Sequence, residues 1–243
     1  MSASDPNALT PILRRGLYET IFGRRDMREF RSDPIPNEVL ARVLVAAHRA
    51  GSVGFTQPWD FVIVRDLKRR QAVKAVFEEE RRRNAHQFSG ARRKQFMSFK
   101  LEGILEAPVN IIVTCRTGRF GPAVLGKTSI DEVEVFSTCL AVQNLWLAAR
   151  AEGLGVGWVS ILRNRELRQI FAIPDEILPV AYLCCGYVEA FPPRPQLETA
   201  GWADRIAPHG LLHFDSWERW GEKEPLALAV DDPVIWRDIF PDR

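Results

Sequence analysis

VQNLWLAARAEGLGVGWVSI, residues 142–161, decides how the rest of the chain is read. Its first half ends a long helix that starts near Asp131. Val133, Val135, Phe136, Leu140, Leu145, Trp146 and Leu147 make that helix apolar on most sides. Such a helix lies at the centre of a core or in an interface between copies. Gly153 ends it. Gly155–Ile161 then follows as a short strand, on which Trp158 and Ser160 fall on one face by the period of two. Gly155 and Gly157 carry no Cβ and permit a close approach. Two readings stay open: a backbone lying against a flat ligand, or a tight helix–strand corner.

Working outward, Asp60–Arg65, Asn110–Cys115 and Pro179–Tyr187 read as strands. Pro11–Phe22, Asn37–Ala50, Leu67 to about Arg83, and Glu166–Phe171 read as helices. The first of these carries an apolar stripe of Ile12, Leu13, Leu17, Tyr18 and Ile21. Residues 84–99 are basic and aromatic, with helix resuming before Glu102. After Val188 the chain is rich in proline and tryptophan and reads as an irregular wrap. Strands alternating with helices argue for one α/β or α+β domain over residues 11–217, with a flexible arm at 1–10 and an extension at 218–243.

Composition sets the outer bounds. The chain has 243 residues, 46% of them apolar and 26% charged, enough to bury a sizeable core. With 33 Lys plus Arg against 31 Asp plus Glu, the net charge of +2 gives no global field for nucleic acid or membrane. The four cysteines, Cys115, Cys139, Cys184 and Cys185, sit in apolar runs without a CxxC spacing and read as reduced core residues of a cytoplasmic protein. No apolar run approaches the ~20 residues that span a bilayer.

Several motifs compete for the function. GPAVLGKT, Gly121–Thr128, matches a phosphate loop letter for letter, which would place Lys127 on phosphates. The preceding strand stops well short of it, and no later strand supplies an acid for magnesium. GLGVG at 153–157 opens a strand after a helix, the reverse of a dinucleotide fingerprint. HGLLH, with His209 and His213, has no third ligand patterned nearby, so no metal site is read. Arg81, Arg82, Arg83, Arg92, Arg93, Lys94 and Lys100, interleaved with Phe88, Phe96 and Phe99, suit a lid or a solvated helical arm better than an RNA surface. Arg24, Arg25 and Arg28 can clamp a phosphate. Asp26 among them orients an arginine or acts chemically, and the four cations at 24–31 are expected to favour its ionised form. Gly51–Trp59, GSVGFTQPW, suits contacts to a planar heterocycle, or else forms a helix-end turn holding a core tryptophan.

RRDMR at 24–28, SVGFTQPW at 52–59, LEG at 101–103, VQNLWLAARAEGLGVGWVSI at 142–161, IPDEI at 173–177 and GWADR at 201–205 occur in the order of the nitroreductase-like flavoproteins. Within that family the chain resembles the 5,6-dimethylbenzimidazole synthases, over about residues 14–217. The resemblance implies an α+β fold, a mixed, mostly antiparallel sheet flanked by helices, working as an intertwined homodimer. It implies that reduced FMN is substrate as well as redox agent, and that O2 is the co-substrate. The products would be 5,6-dimethylbenzimidazole, the lower ligand of cobalamin, and erythrose 4-phosphate. Asp26 and Ser160 would be catalytic. Arg24, Arg25, Asp26, Met27, Arg28, Ser52, Ser160 and Arg205 would contact the flavin, and residues 78–100 would form the lid. The partners to expect are a second copy of the chain and a separate flavin reductase that supplies reduced FMN. The alternatives are an NAD(P)H-dependent nitroreductase or flavin reductase on the same fold, a nucleotide triphosphatase, and a nucleic-acid module.

Overall fold

The computed structural model describes residues 6–121, 123, 125–221 and 224–240. The first half of the expected N-terminal arm, and Pro122 and Val124 of the phosphate-loop match, lie outside them. The elements, in chain order, are α1 (Pro11–Gly23), α2 (Asn37–His48), β1 (Trp59–Val64), α3 (Leu67–Ala85), α4 (Gly90–Ser98) and β2 (Val109–Arg116), followed by α5 (Val133–Ala151), β3 (Leu154–Trp158), α6 (Asn164–Phe171), β4 (Ile177–Tyr187), α7 (Gln196–Thr199) and α8 (Pro225–Ala229). They fall into two compact units, residues 24–191 and a unit made of 1–23 with 192–243.

The larger unit is built on a four-stranded sheet in the order β1-β2-β4-β3, every pair antiparallel. Both faces are covered, which requires strands that are apolar on both sides. Ile111, Val113, Ala181, Leu183 and Cys185 face the layer of α2 and α5. Ile112, Tyr182 and Cys184 face the layer of α3 and α6. A slip of one residue in any pairing would exchange these two sets, so the packing specifies the register. A bulge between Val113 and Thr114 falls opposite Pro179, which has no amide to give to the ladder.

β3 is one of the two edge strands, and its outer side is occupied in part by the segment after α1. Asp26 bridges Val156 in parallel, and the Met27 amide donates to the Val156 carbonyl at 2.9 Å. This bridge is the parallel component of an otherwise antiparallel sheet. β3 also ends three residues earlier than its sequence suggests. The Val159 amide makes one more bond, to the Tyr182 carbonyl at 2.9 Å, and the chain then bends away. Ser160 is therefore off the strand, and the shared strand face expected for Trp158 and Ser160 does not exist.

α5 is central, as its composition requires: Ala141, Val142, Leu145 and Ala149 are buried. Its outer side leaves Phe136 and Leu140 more than half exposed. Cys139 lies there too and is exposed, so the expectation of four core cysteines holds for Cys115, Cys184 and Cys185 only. The latter two thiols are pushed up to about 12 by burial.

In the smaller unit the apolar stripe of α1 is not buried by the chain itself. None of its residues is buried, and Ile12 and Leu13 stand open. Its aromatic residues do find partners: Tyr18 and Phe22 pack edge-on against Trp236, and Phe22 also meets Phe240. His209 pairs with Asp231, while His213 accepts from the Glu218 amide and stacks on Trp217. The two histidines of HGLLH thus serve separate contacts. Among the described residues, no helix is long and apolar enough to cross a membrane.

Candidate functional site

The site grows from the strip of backbone laid along β3. Residues 26–28 can lie that close only because β3 presents glycines at alternate positions on the side they approach. A Cβ on Gly157 would stand 2.0 Å from the Met27 carbonyl oxygen and 2.5 Å from Arg28 Nη1. A Cβ on Gly155 would meet Val188 Cγ1 at 2.5 Å and Met27 Cγ at 2.9 Å. The close approach that these glycines permit is therefore made by protein backbone. Met27, expected to touch a ligand, is buried and packs its side chain over Gly155.

This contact holds the Asp26 carboxylate in place. Oδ1 accepts from the Trp158 amide at 2.9 Å, and Oδ2 is ion-paired with Arg28. Arg28 in turn donates from Nη2 to the Trp158 carbonyl at 2.8 Å, so one guanidinium bridges the carboxylate and the end of β3. Its side chain is only 12% exposed, whereas that of Asp26 keeps 44% of its surface. Asp26 thus presents one open side while protein closes over the rest. Burial raises its carboxyl above the ordinary carboxylate range. Arg28, the Trp158 N–H and Arg24 all pull the other way and are outweighed. The charge count that favoured the ionised form is corrected by depth, and by Arg31 turning aside to Asp33 at 2.8 Å.

Arg24 and Arg25 are organised by a residue that sequence reading took only as part of an apolar run. Trp146 Nε1 donates to the Arg25 carbonyl at 3.2 Å, and the Arg24 guanidinium lies 4.7 Å above the indole. The available signal was the indole N–H itself, which needs an acceptor when buried. Ser160 lies two residues beyond the Trp158 amide that holds Asp26, a reach of about 7 Å of chain. It is exposed.

Ser52 is placed elsewhere on the same unit. Its Oγ accepts from the Gln57 amide at 3.1 Å, and the next amide, Val53 N, donates to Ser137 Oγ on α5 at 3.1 Å. Ser137 and Trp146 are nine residues apart on α5, about 13 Å along its axis. The loop ends in Trp59, a core residue whose Nε1 donates to His48 Nδ1 at 3.2 Å. Arg205 belongs to the smaller unit, where it is exposed.

The phosphate-loop lysine is committed inside the protein. Lys127 Nζ lies 2.5 Å from Oε2 of Glu134, which is fully buried and also accepts from the Gly118 amide at 3.0 Å. Removing the ammonium would leave a buried carboxylate uncompensated. We expect Lys127→Met to cost about 3 kcal/mol. That corresponds to a melting temperature about 6–12 °C lower, readable by calorimetry. An unchanged melting point would mean that the pair does not hold the loop.

The basic stretch is also partly used internally. Arg81 Nη2 donates to the carbonyls of Met97 and Phe99 at 2.6 and 2.8 Å, capping the end of α4, and Phe88 packs on Phe96. Arg83 pairs with Glu79 and Glu80.

The pattern of the nitroreductase family matches residues 21–187, which takes in β3, the strip at 26–28, and all four strands. The chain belongs to the nitroreductase family. Among its relatives, a 5,6-dimethylbenzimidazole synthase of Rhodospirillum rubrum is 40% identical over 212 residues, 83% of this chain and 95% of that protein. A second 5,6-dimethylbenzimidazole synthase, of Rhodobacter capsulatus, is 34% identical over 85% of this chain and 96% of its own length. The crystal structure of oxidized iodotyrosine deiodinase bound to FMN and 3-iodo-L-tyrosine superposes with a TM-score of 0.64 over 83% of this chain and 100% of that one, at 24% identity. That likeness carries the nitroreductase fold.

Proposed function

We propose that this member of the nitroreductase family is a 5,6-dimethylbenzimidazole synthase, converting reduced FMN and O2 to 5,6-dimethylbenzimidazole with release of erythrose 4-phosphate. The observation that carries the reading is the 40% identity to a synthase of the same name over 95% of that protein's length. The donor set fits such a substrate. The Arg24 guanidinium lies over Trp146, the Arg25 carbonyl accepts from the same indole, and Arg28 Nη1 is a buried donor with no hydrogen-bond partner. Cationic forks suit a phosphate-bearing ligand. When bound, reduced FMN supplies both the electrons for oxygen and the carbon skeleton of the product.

The chain's own residues supply position and proton traffic. Arg24, Arg25 and Arg28 would hold the anion, with Ser52 facing the ring. Asp26, raised by burial and open on one side, holds or releases a proton at its carboxyl close to the end of β3. Ser160, a short chain step away, orients the reacting group. Residues 78–100, the end of α3 with α4 and their connection, would close over the site and exclude water. The test is mass analysis of products after the protein meets reduced FMN in air. Benzimidazole supports the synthase, whereas recovery of intact FMN with nicotinamide oxidation supports a reductase.

A homodimer is part of the same proposal. Phe136 and Leu140 stand exposed on α5, a helix otherwise central to the core. Phe136→Asp is expected to leave a monomer in sedimentation velocity, with little change in far-UV circular dichroism. A variant that sediments like the parent would remove this face from the interface.

A further inference from the structure

The turn carrying Ser160 is tied down at both ends. Before it, the Trp158 carbonyl accepts from Arg28 and the Val159 amide donates to Tyr182. After it no strand pairing remains, and Ile161 and Leu162 are only half-buried against the layer of α3 and α6. The next fixed point is Arg163. Its guanidinium meets three carboxylates: Glu79 at 2.9 Å, Glu80 at 3.3 Å and Glu166 at 3.1 Å. Glu79 and Glu80 lie on α3, and Glu166 lies in the first turn of α6. The arginine is 29% exposed, with Glu80 at 15% and Glu166 at 23%, so the cluster is partly shielded from solvent. Arg83 shares Glu79 and Glu80, which leaves two guanidiniums serving three carboxylates.

We propose that Arg163 is a positioning residue for Ser160. It fixes the far end of the Ser160 turn on α3, at Glu79 and Glu80, where the segment proposed to cover the site begins. One fork reaching two helices sets the turn more narrowly than a single contact would. A lysine can satisfy the charge but not that geometry. The inference rests on the proposed role of Ser160 in benzimidazole formation.

The test is a double-mutant cycle of Arg163→Gln and Ser160→Ala, with product from reduced FMN in air quantified by mass. Misplacing a reacting group by about 1 Å can cost up to about a hundredfold in rate. Arg163→Gln is therefore expected to lower kcat about tenfold or more while KM for reduced FMN stays within about twofold, and Arg163→Lys should recover part of the loss. In the Ser160→Ala background, Arg163→Gln should cause no further loss, because the two substitutions act through one group. Amide hydrogen exchange in the glutamine variant should quicken at 160–162 and not at 158–159. An equal loss in both backgrounds, or an unchanged rate in Arg163→Gln, would overturn the inference while leaving the role of Ser160 standing. An unchanged rate in Ser160→Ala would remove that role, and the inference with it.

Discussion

Asp26→Asn is expected to lower benzimidazole formation from reduced FMN and air by about 10²–10⁴-fold, the usual span for a lost proton-transfer group. The substitution is close to isosteric. The side-chain oxygen can still accept from the Trp158 amide, so the strip along β3 stays seated. What disappears is the titrating carboxyl and its ion pair with Arg28. Because burial raises the carboxyl above 3.8, ionising it opposes folding as pH rises from 3.8 through the folded value. The amide carries no such charge, so the variant is expected to melt close to the parent at neutral pH. Arg28 lowers the same carboxyl, so Arg28→Gln should move the limb of the pH–rate profile that reports Asp26 to higher pH. Product at the parental rate from Asp26→Asn would end the assignment.

Gly157→Ala should be nearly as damaging, by a purely steric route. The added methyl carbon would stand 2.0 Å from the Met27 carbonyl oxygen and 3.2 Å from the Met27 carbonyl carbon. These are backbone atoms and cannot swing aside as a flexible side chain would. Relief requires residues 26–28 to lift from β3, giving up the Met27 amide bond to Val156 and the Trp158 amide bond to Asp26. Overpacking of this kind costs about 1–3 kcal/mol, or about 2–12 °C of melting temperature. The displaced carboxylate should cost about a hundredfold in rate. Gly16→Ala is the matched control. Nothing lies within 4 Å of its added Cβ, and α1 should gain up to about 1 kcal/mol of helix propensity. Full activity in Gly157→Ala would show that the seat of Asp26 tolerates displacement.

Much of the fold was legible because it is written in short-range patterns. Periods of two and 3.6 identify β1, β2, β4, α2 and α5 within a few residues of their observed ends. The core tryptophan of GSVGFTQPW is likewise seen at Trp59. The misreadings share one cause. VGWVSI reads as strand through Ile161, yet the chain turns off the sheet after Val159 towards the carboxylates that hold Arg163. Cys139 reads as a core residue because its neighbours in sequence are apolar, yet its side of α5 faces outward. The stripe of α1 is real in sequence, yet none of its residues is buried among the described residues.

By itself the sequence determined the elements, the glycine-spaced edge strand, and the residue types gathered at 24–28. Each of these follows from neighbours a few positions apart. Only the tertiary structure decided which way Asp26 titrates and what the glycines of β3 are for. Asp26 and Trp158 are 132 residues apart, and so is their hydrogen bond. Counting charges near Asp26 along the chain predicts a lowered carboxyl, whereas the loss of solvent around it raises the carboxyl above its ordinary value. The strength of that opposition depends on how much protein surrounds the group, a quantity that exists only once distant segments have packed together.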